Sequence, residues 1–122
     1  MEVPRVQGRR ILLVEDDPGA RQSIKLLLTI DRHHVTEVAN SRAALALLAR
    51  EYFDLVITDY YMPEFSGAEL AEAIKANNPS QPVLMVSAFV EKLQGSCKAV
   101  DILMAKPFSV DSFREALVKL LG

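Results

Sequence analysis

Acidic, hydroxyl and basic side chains each end a short apolar run in this chain: Glu15, Asp16, Asp59, Ser87 and Lys106. Neighbouring carboxylates repel one another unless a cation joins them. Mg²⁺ typically takes one or two carboxylates together with waters and a phosphate. A carboxylate can act as a nucleophile, while a lysine and a hydroxyl can hold phosphoryl oxygens. These residue types therefore predict a phosphoryl-acceptor site, provided that the fold brings them together.

The apolar runs that precede these residues predict strands. A run without polar interruption is typical of a strand buried on both faces of a sheet. The predicted strands cover residues 10–14, 34–39, 55–58, 83–87 and 102–105. Asp17 follows the same strand as Glu15 and Asp16, but it is expected to cap a helix that begins at Pro18 rather than to join the site.

Helices are expected between the strands. Ser41 is predicted to cap the second helix, and Ser66 with Glu69 forms a capping box for the third, which ends near Asn77-Asn78-Pro79. Residues 90–98 form a weak, short candidate, and Ser109 is predicted to cap the last helix. Strand and helix thus alternate five times, which predicts a doubly wound parallel sheet with helices on both faces. The carboxyl ends of such strands share one edge, where α/β sheets bind their ligands.

Composition restricts the remaining choices. The chain has 122 residues, half of them hydrophobic and a quarter charged, which fits one domain preceded by a loose tail over residues 1–9. A net charge of -2 argues against general nucleic-acid binding, and no apolar stretch approaches membrane-spanning length. Cys97 is the single cysteine, so an internal disulfide is excluded and a cytoplasmic location is expected. His33 and His34 are expected to be loop or surface residues.

Four motifs in combination make the chain resemble the receiver domain of bacterial two-component response regulators. They are Leu13-Val14-Glu15-Asp16-Asp17, Asp59 with Met62-Pro63 and Gly67, Val86-Ser87-Ala88, and Lys106-Pro107-Phe108. The resemblance extends over residues 10–122. It implies a flavodoxin-like fold whose five parallel strands lie in the order 2-1-3-4-5, with a cis bond between Lys106 and Pro107.

The resemblance also implies a role for each site residue. Asp59 would be the phospho-acceptor, and Ser87 and Lys106 would hold the phosphoryl oxygens. Asp16 and the backbone carbonyl of Tyr61 would bind Mg²⁺ directly together with Asp59, and Glu15 would bind it through water.

The expected partners follow from the same resemblance. The phosphoryl donor would be a phosphohistidine on a sensor histidine kinase or a histidine phosphotransfer protein. Phosphorylation would switch a face that binds an output domain or a partner protein. The chain would thus be a signalling domain that catalyses its own phosphoryl transfer and dephosphorylation, with no membrane or nucleic-acid contact. The sequence leaves open whether it stands alone or is part of a longer regulator.

Some positions depart from the pattern of that family. Leu103 stands where the family usually carries an aromatic switch residue, and the segment from Ser87 to Lys106 is about one helical turn shorter than usual. Tyr61 and Phe89 are bulky at two variable positions beside the predicted acceptor. The fourth helix candidate is short and contains Gly95, which weakens a helix. We therefore expect residues 90–100 to be irregular or mobile without phosphate and to become ordered on phosphorylation.

Three other functions are compatible with parts of this pattern. The first is a receiver-like module that docks a partner without being phosphorylated, which the full acidic set and Lys106 argue against. The second is a flavin or nucleotide carrier, disfavoured because Glu15-Asp16-Asp17 is acidic where a phosphate cradle is expected. The third is an aspartate-based phosphatase, which expects an aspartate where Tyr61 stands.

Overall fold

The computed structural model describes residues 6–93, 95 and 97–122, and these form five strands and five helices in strict alternation. The elements are β1 (Arg10–Val14), α1 (Pro18–Ile30), β2 (His34–Val38), α2 (Ser41–Leu48), β3 (Leu55–Thr58), α3 (Gly67–Asn77), β4 (Val83–Ser87), α4 (Val90–Leu93), β5 (Ile102–Ala105) and α5 (Val110–Leu121). All strands are parallel, in the order β2-β1-β3-β4-β5. The predicted fold class and strand order are confirmed.

The central strands are buried on both faces, as their uninterrupted apolar sequence predicts. Successive side chains of a strand point to opposite sides, so β1 supplies both halves of the core. Helices α1 and α5 cover one side, with a cluster that includes Ile11, Leu13, Ile57, Leu28 and Phe113. Helices α2 and α3 cover the other side, with a cluster that includes Leu12, Val14, Val56, Ala44 and Leu70. This packing holds the strand ends rigidly at one edge.

Capping residues fix where several helices begin, and most of them are the residues that the sequence predicts. Asp17 caps α1, Ser66 and Glu69 form the predicted capping box of α3, and Ser109 caps α5. The prediction for α2 is wrong by one residue, because Asn40 is the cap. Ser41 is instead fully buried, and its Oγ donates to the carbonyl of Phe65, which ties α2 to the loop between β3 and α3.

Helix α4 is shorter than predicted. It covers Val90–Leu93, whereas the sequence favoured residues 90–98, of which 94 and 96 lie outside the described residues. Gly95 adopts a φ of 90°, in the left-handed region that ends helices. The helix candidate was therefore right in type and too long.

The amino edge of the sheet holds a second difference. His33 lies in the loop before β2, which agrees with a loop residue, but it is only 6% exposed and is not at the surface, while His34 is exposed at the start of β2. The Nδ1 atom of His33 accepts a hydrogen bond from the backbone N–H of Arg9. The guanidinium of Arg9 donates to the carbonyl of Leu121. His33 therefore lies under the segment that enters β1, and residues 1–5 of the predicted tail lie outside the described residues. No helix in the described part of the chain is long and apolar enough to cross a membrane.

Candidate functional site

Four of the predicted site residues meet at the carboxyl edge of the sheet. Glu15 follows β1, Asp59 follows β3, Ser87 ends β4 and Lys106 follows β5. The register aligns these ends, since Val14 pairs with Thr58 and Ser87 pairs with Ala105. The parallel topology therefore places three different kinds of functional group at one edge, as the sequence predicts.

Lys106 is the cation at the centre of this edge. Its Nζ lies 2.9 Å from Oδ2 of Asp59 and 3.4 Å from Oε1 of Glu15. Its backbone N–H donates to the carbonyl of Ser87, and the bond from Lys106 to Pro107 is cis, as predicted. Burial alone would lower the pKa of Lys106, but the hydrogen bond and charge of Asp59 and the charge of Glu15 outweigh it and raise that pKa. The ammonium is therefore charged and already shared by two carboxylates.

Glu15 carries the strongest electrostatic perturbation of the edge. Its side chain is 2% exposed, and its Oε2 is buried with no hydrogen-bond partner within the described residues. Burial and, to a lesser extent, the charge of Asp59 raise its pKa from 4.5 to about 7, and Lys106 offsets only part of their effect. One lysine does not balance the negative charge here, so the edge favours an additional cation.

Asp59 is oriented but remains open to solvent. Its Oδ1 accepts the backbone N–H of Tyr60 at 2.6 Å, its Oδ2 faces Lys106, and its side chain is 14% exposed. The loop that follows returns closely to the strand end, because a Cβ added at Gly67 would lie 2.0 Å from the backbone oxygen of Asp59. Gly67 is thus required by this close approach, which explains its place in the motif. The carboxylate presents a fixed direction to an incoming electrophile.

Ser87 supplies a hydroxyl beside the lysine. Its side chain is fully buried, and its Oγ has no hydrogen-bond partner in the part of the chain that the structure describes. A buried hydroxyl is normally paired, since leaving it unpaired costs about 1–3 kcal/mol. The free Oγ is therefore suited to hold an oxygen of a bound group.

The two acidic residues that follow Glu15 lie in different surroundings. Oδ2 of Asp17 accepts the backbone N–H of Ala20, which confirms its capping role, and Asp16 is exposed to solvent next to Glu15. Among the described residues, no three acidic, histidine or cysteine side chains are close enough to cage a metal ion. Mg²⁺ needs only one or two carboxylates, because waters complete its shell. The unpaired Oε2 of Glu15 and the repulsion between Glu15 and Asp59 fit such an ion.

An aromatic row that the sequence predicts only in part borders Asp59. The ring centroids of Tyr60 and Tyr61 lie 4.9 Å apart, and those of Tyr61 and Phe89 lie 6.1 Å apart, both pairs edge to face. Tyr61 and Phe89 are about half exposed. Nζ of Lys92 lies 5.6 Å from the centroid of the Phe89 ring. A depression of about 330 Å³ next to this row is lined by Ala88, Phe89, Val90, Glu91, Lys92, Ala105 and Lys106.

Comparisons with known proteins agree with this geometry. The family model for the response regulator receiver domain matches residues 11–118. The chain is 40% identical to the response regulator protein FleR of Pseudomonas aeruginosa, over 93% of this chain and 26% of that protein. It is 33% identical to the transcriptional regulatory protein TcrA of Mycobacterium tuberculosis, over 88% of this chain and 44% of that protein. The chain thus spans less than half of these two relatives.

Two solved structures are similar to this chain over nearly their whole length. The response regulator TrrA of Thermotoga maritima, in complex with Mg²⁺ and BeF, has a TM-score of 0.87 and 31% identity, covering 93% of this chain and 99% of that one. The receiver domain of a sensor histidine kinase from Pseudomonas aeruginosa, with a magnesium ion in its active-site cleft, has a TM-score of 0.86 and 30% identity, covering 94% and 98%. Both similar structures hold magnesium.

Proposed function

The chain belongs to the response regulator receiver domain family of two-component signalling, and from this premise we propose that residues 10–122 accept a phosphoryl group on Asp59 in the presence of Mg²⁺. The observation that carries the proposal is the position of the Asp59 carboxylate. It is directed by Tyr60 and Lys106 on its two oxygens and is still reachable from solvent. A nucleophile needs both properties.

The proposed step moves a phosphoryl group from a phosphohistidine to Asp59. An oxygen of Asp59 attacks the phosphorus of a phosphohistidine, a phosphorus–oxygen bond forms, and the phosphorus–nitrogen bond breaks. The leaving imidazole keeps the bonding electron pair and takes a proton. Lys106 and the unpaired hydroxyl of Ser87 donate hydrogen bonds to the phosphoryl oxygens. Dephosphorylation is then attack of water on the same phosphorus, which breaks the bond to the oxygen of Asp59 and releases inorganic phosphate and the carboxylate.

The metal supplies charge neutralisation at the phosphoryl oxygens when it is bound. Asp16, Asp59 and the carbonyl of Tyr61 would hold it directly, and Glu15 would hold it through water. The excess negative charge around Glu15 supports this assignment, because burial and Asp59 already raise the pKa of Glu15. The magnesium in two similar structures supports it as well.

The donor that we propose is a sensor histidine kinase or a histidine phosphotransfer protein. The relatives include regulators and a histidine kinase, and each is much longer than this chain. We infer that the signal passes to an output domain or a partner protein through a face that responds to Asp59.

The test is incubation with a small phosphodonor and Mg²⁺, followed by intact mass and peptide mapping. The wild type should gain one phosphoryl group on the peptide that contains Asp59, and Asp59→Asn should gain none. Asp111→Asn is the matched control, because Asp111 is an exposed residue in the first turn of α5. Phosphorylation that persists in Asp59→Asn would overturn the assignment, and a wild type that never reacts would favour a module that only docks partners.

The metal assignment has its own test within the acidic run. Asp16→Asn should weaken Mg²⁺ binding by roughly tenfold or more, which corresponds to about 1.4 kcal/mol. Asp17→Asn should leave Mg²⁺ binding unchanged, because Asp17 caps α1 and asparagine caps about equally well. Calorimetric titration with Mg²⁺ measures both variants. Equal losses of Mg²⁺ binding would contradict the assignment of Asp16 as a ligand and Asp17 as a cap.

A further inference from the structure

Tyr60 is attached by its backbone to the acceptor carboxylate. Its N–H donates to Oδ1 of Asp59 at 2.6 Å, and its carbonyl accepts the N–H of Gly67, the first residue of α3, at 2.7 Å. These two hydrogen bonds fix the peptide units on both sides of its Cα. The direction of the Tyr60 ring therefore depends on the Asp59 carboxylate.

Tyr60 packs against a buried apolar cluster that includes one residue of α4. This cluster, here called the α4 cluster, consists of Ala68, Met85 and Leu93, with Tyr60, Cys97, Val100 and Leu103 packed against it. Leu93 is the last residue of α4, and Leu103 lies on β5. Because Leu103 is aliphatic, the aromatic ring of this cluster comes from the end of β3 rather than from β5. A movement of Tyr60 would therefore change the packing of the cluster that holds the last residue of α4.

Helix α4 is suited to respond to such a change. It has four residues, and a helix this short has little stability of its own. Phe89, the residue before α4, is also in contact with the loop that follows β3, because its ring packs against Tyr61 and the ring of Tyr61 packs against Tyr60. The carbonyl of Phe89 accepts the N–H of Lys92, so this ring row leads into the first turn of α4.

We propose that Tyr60 is the positioning residue that couples the state of the Asp59 carboxylate to the conformation of α4. The inference rests on the proposed function, because it needs Asp59 to change its chemical state. A carboxylate is a charged acceptor, whereas the carboxyl oxygen of an acyl phosphate is a neutral and weaker one. Phosphorylation would thus weaken the bond that holds the Tyr60 backbone, and the ring would repack in the α4 cluster.

The first test follows the tyrosine rings of the wild-type protein directly. The chain has three tyrosines, and ¹³C-labelled tyrosine gives one set of ring signals for each. Tyr52 is 66% exposed and precedes β3 at the opposite edge of the sheet, which makes it the internal control. Addition of Mg²⁺ and beryllofluoride should shift the Tyr60 ring signals and leave those of Tyr52 in place; Tyr60→Phe assigns the signals. A Tyr60 ring that does not respond to the bound mimic overturns the coupling.

The second test compares amide hydrogen exchange of residues 88–93 with and without the mimic. In the wild type the exchange rate should change by roughly fivefold or more, the lower end of allosteric coupling. Tyr60→Phe keeps the ring and should keep the change, whereas Tyr60→Leu should lose it. Tyr61→Leu is the matched control and should keep most of it.

Bound mimic is detected separately by ¹⁹F resonances. If Tyr60→Leu binds the mimic and still shows the wild-type change, the coupling is refuted while the proposed function stands. Equal loss in Tyr61→Leu also refutes it, because the route would then be the exposed ring row. A wild type that does not bind the mimic contradicts the proposed function, and the coupling falls with it.

Discussion

Glu15→Gln should stabilise the metal-free protein, although it alters a residue of the candidate site. The carboxyl of Glu15 is buried beside Asp59, and its pKa is about 7 in the folded chain against 4.5 for a solvated glutamate. At about 1.4 kcal/mol for each pH unit, this difference corresponds to about 3 kcal/mol. The cost of ionising Glu15 is borne by the folded state, so removing the charge should recover an energy of that order.

The sign of the pH dependence follows from which state binds the proton more tightly. The folded state keeps the proton on Glu15 to a higher pH than the unfolded state does, so the stability that this group contributes is complete below about 4.5. It is lost as the pH rises from 4.5 to about 7 and stays lost above that. The advantage of Glu15→Gln should therefore be below about 1 kcal/mol near pH 5 and reach about 3 kcal/mol near pH 8.

Urea unfolding with a chelator present, at these two pH values, measures the difference directly. Glu72→Gln is the control, because Glu72 is exposed on α3 and should give no pH-dependent difference. Mg²⁺ should raise the stability of the wild type near pH 8 and act less on Glu15→Gln, since a bound cation offsets the same repulsion. A variant whose advantage is the same at both pH values, or absent at the higher one, would show that Glu15 is not held in the environment described.

Two other predictions concern the aromatic row and the backbone. Tyr61→Asn combined with Phe89→Glu should speed decay of the phosphorylated form by roughly tenfold, about 1.4 kcal/mol of barrier, because the half-exposed rings crowd the approach of water to Asp59; a double variant that decays no faster than wild type would contradict this. Arg32→Gly should raise the free energy of unfolding by about 1 kcal/mol, because Arg32 follows α1 with a φ of 63°, where a side chain is strained. Thermal and urea unfolding measure it, and Arg50→Gly, at an exposed position after α2 where φ is not positive, should not stabilise the protein.

The fold could be predicted because its determinants are local. The apolar runs that become β1 and β4 contain their own burial pattern, and alternation with capped helices leaves few arrangements of a parallel sheet. The errors arise where a local signal has two solutions. Asn40 and Ser41 are both good caps. Asn40 is the cap in the structure, and the hydroxyl of Ser41 instead donates a hydrogen bond to the Phe65 carbonyl.

The site could be predicted in its residues but not in its contacts. Asp59 and Lys106 are predicted at the same edge because both follow strands of a parallel sheet. The second ion pair of Lys106, with Glu15, depends on side-chain packing and could not be predicted. The burial of His33 shows the same limit, because the N–H that its ring accepts belongs to Arg9, which is far away in sequence. The Mg²⁺ ligands remain a prediction, as does the ordering of residues 90–100 on phosphorylation.

The charge balance of the edge gives a physical reason for a metal requirement. Before any reaction, Lys106 already faces Asp59 and Glu15, and Glu15 still has a raised pKa. A phosphoryl group brings two negative charges near neutral pH, while its bond to Asp59 removes only the one charge of the carboxylate. The product would thus be more negative than the site that formed it, with the same single lysine. A divalent cation corrects this imbalance, and the exposed carboxylate of Asp16 lies at the strand end where such an ion can enter from solvent. On the proposed function, the carboxylates that repel one another at this edge would favour a metal-bound state, and such a difference in affinity is the condition for a ligand to shift a conformational equilibrium.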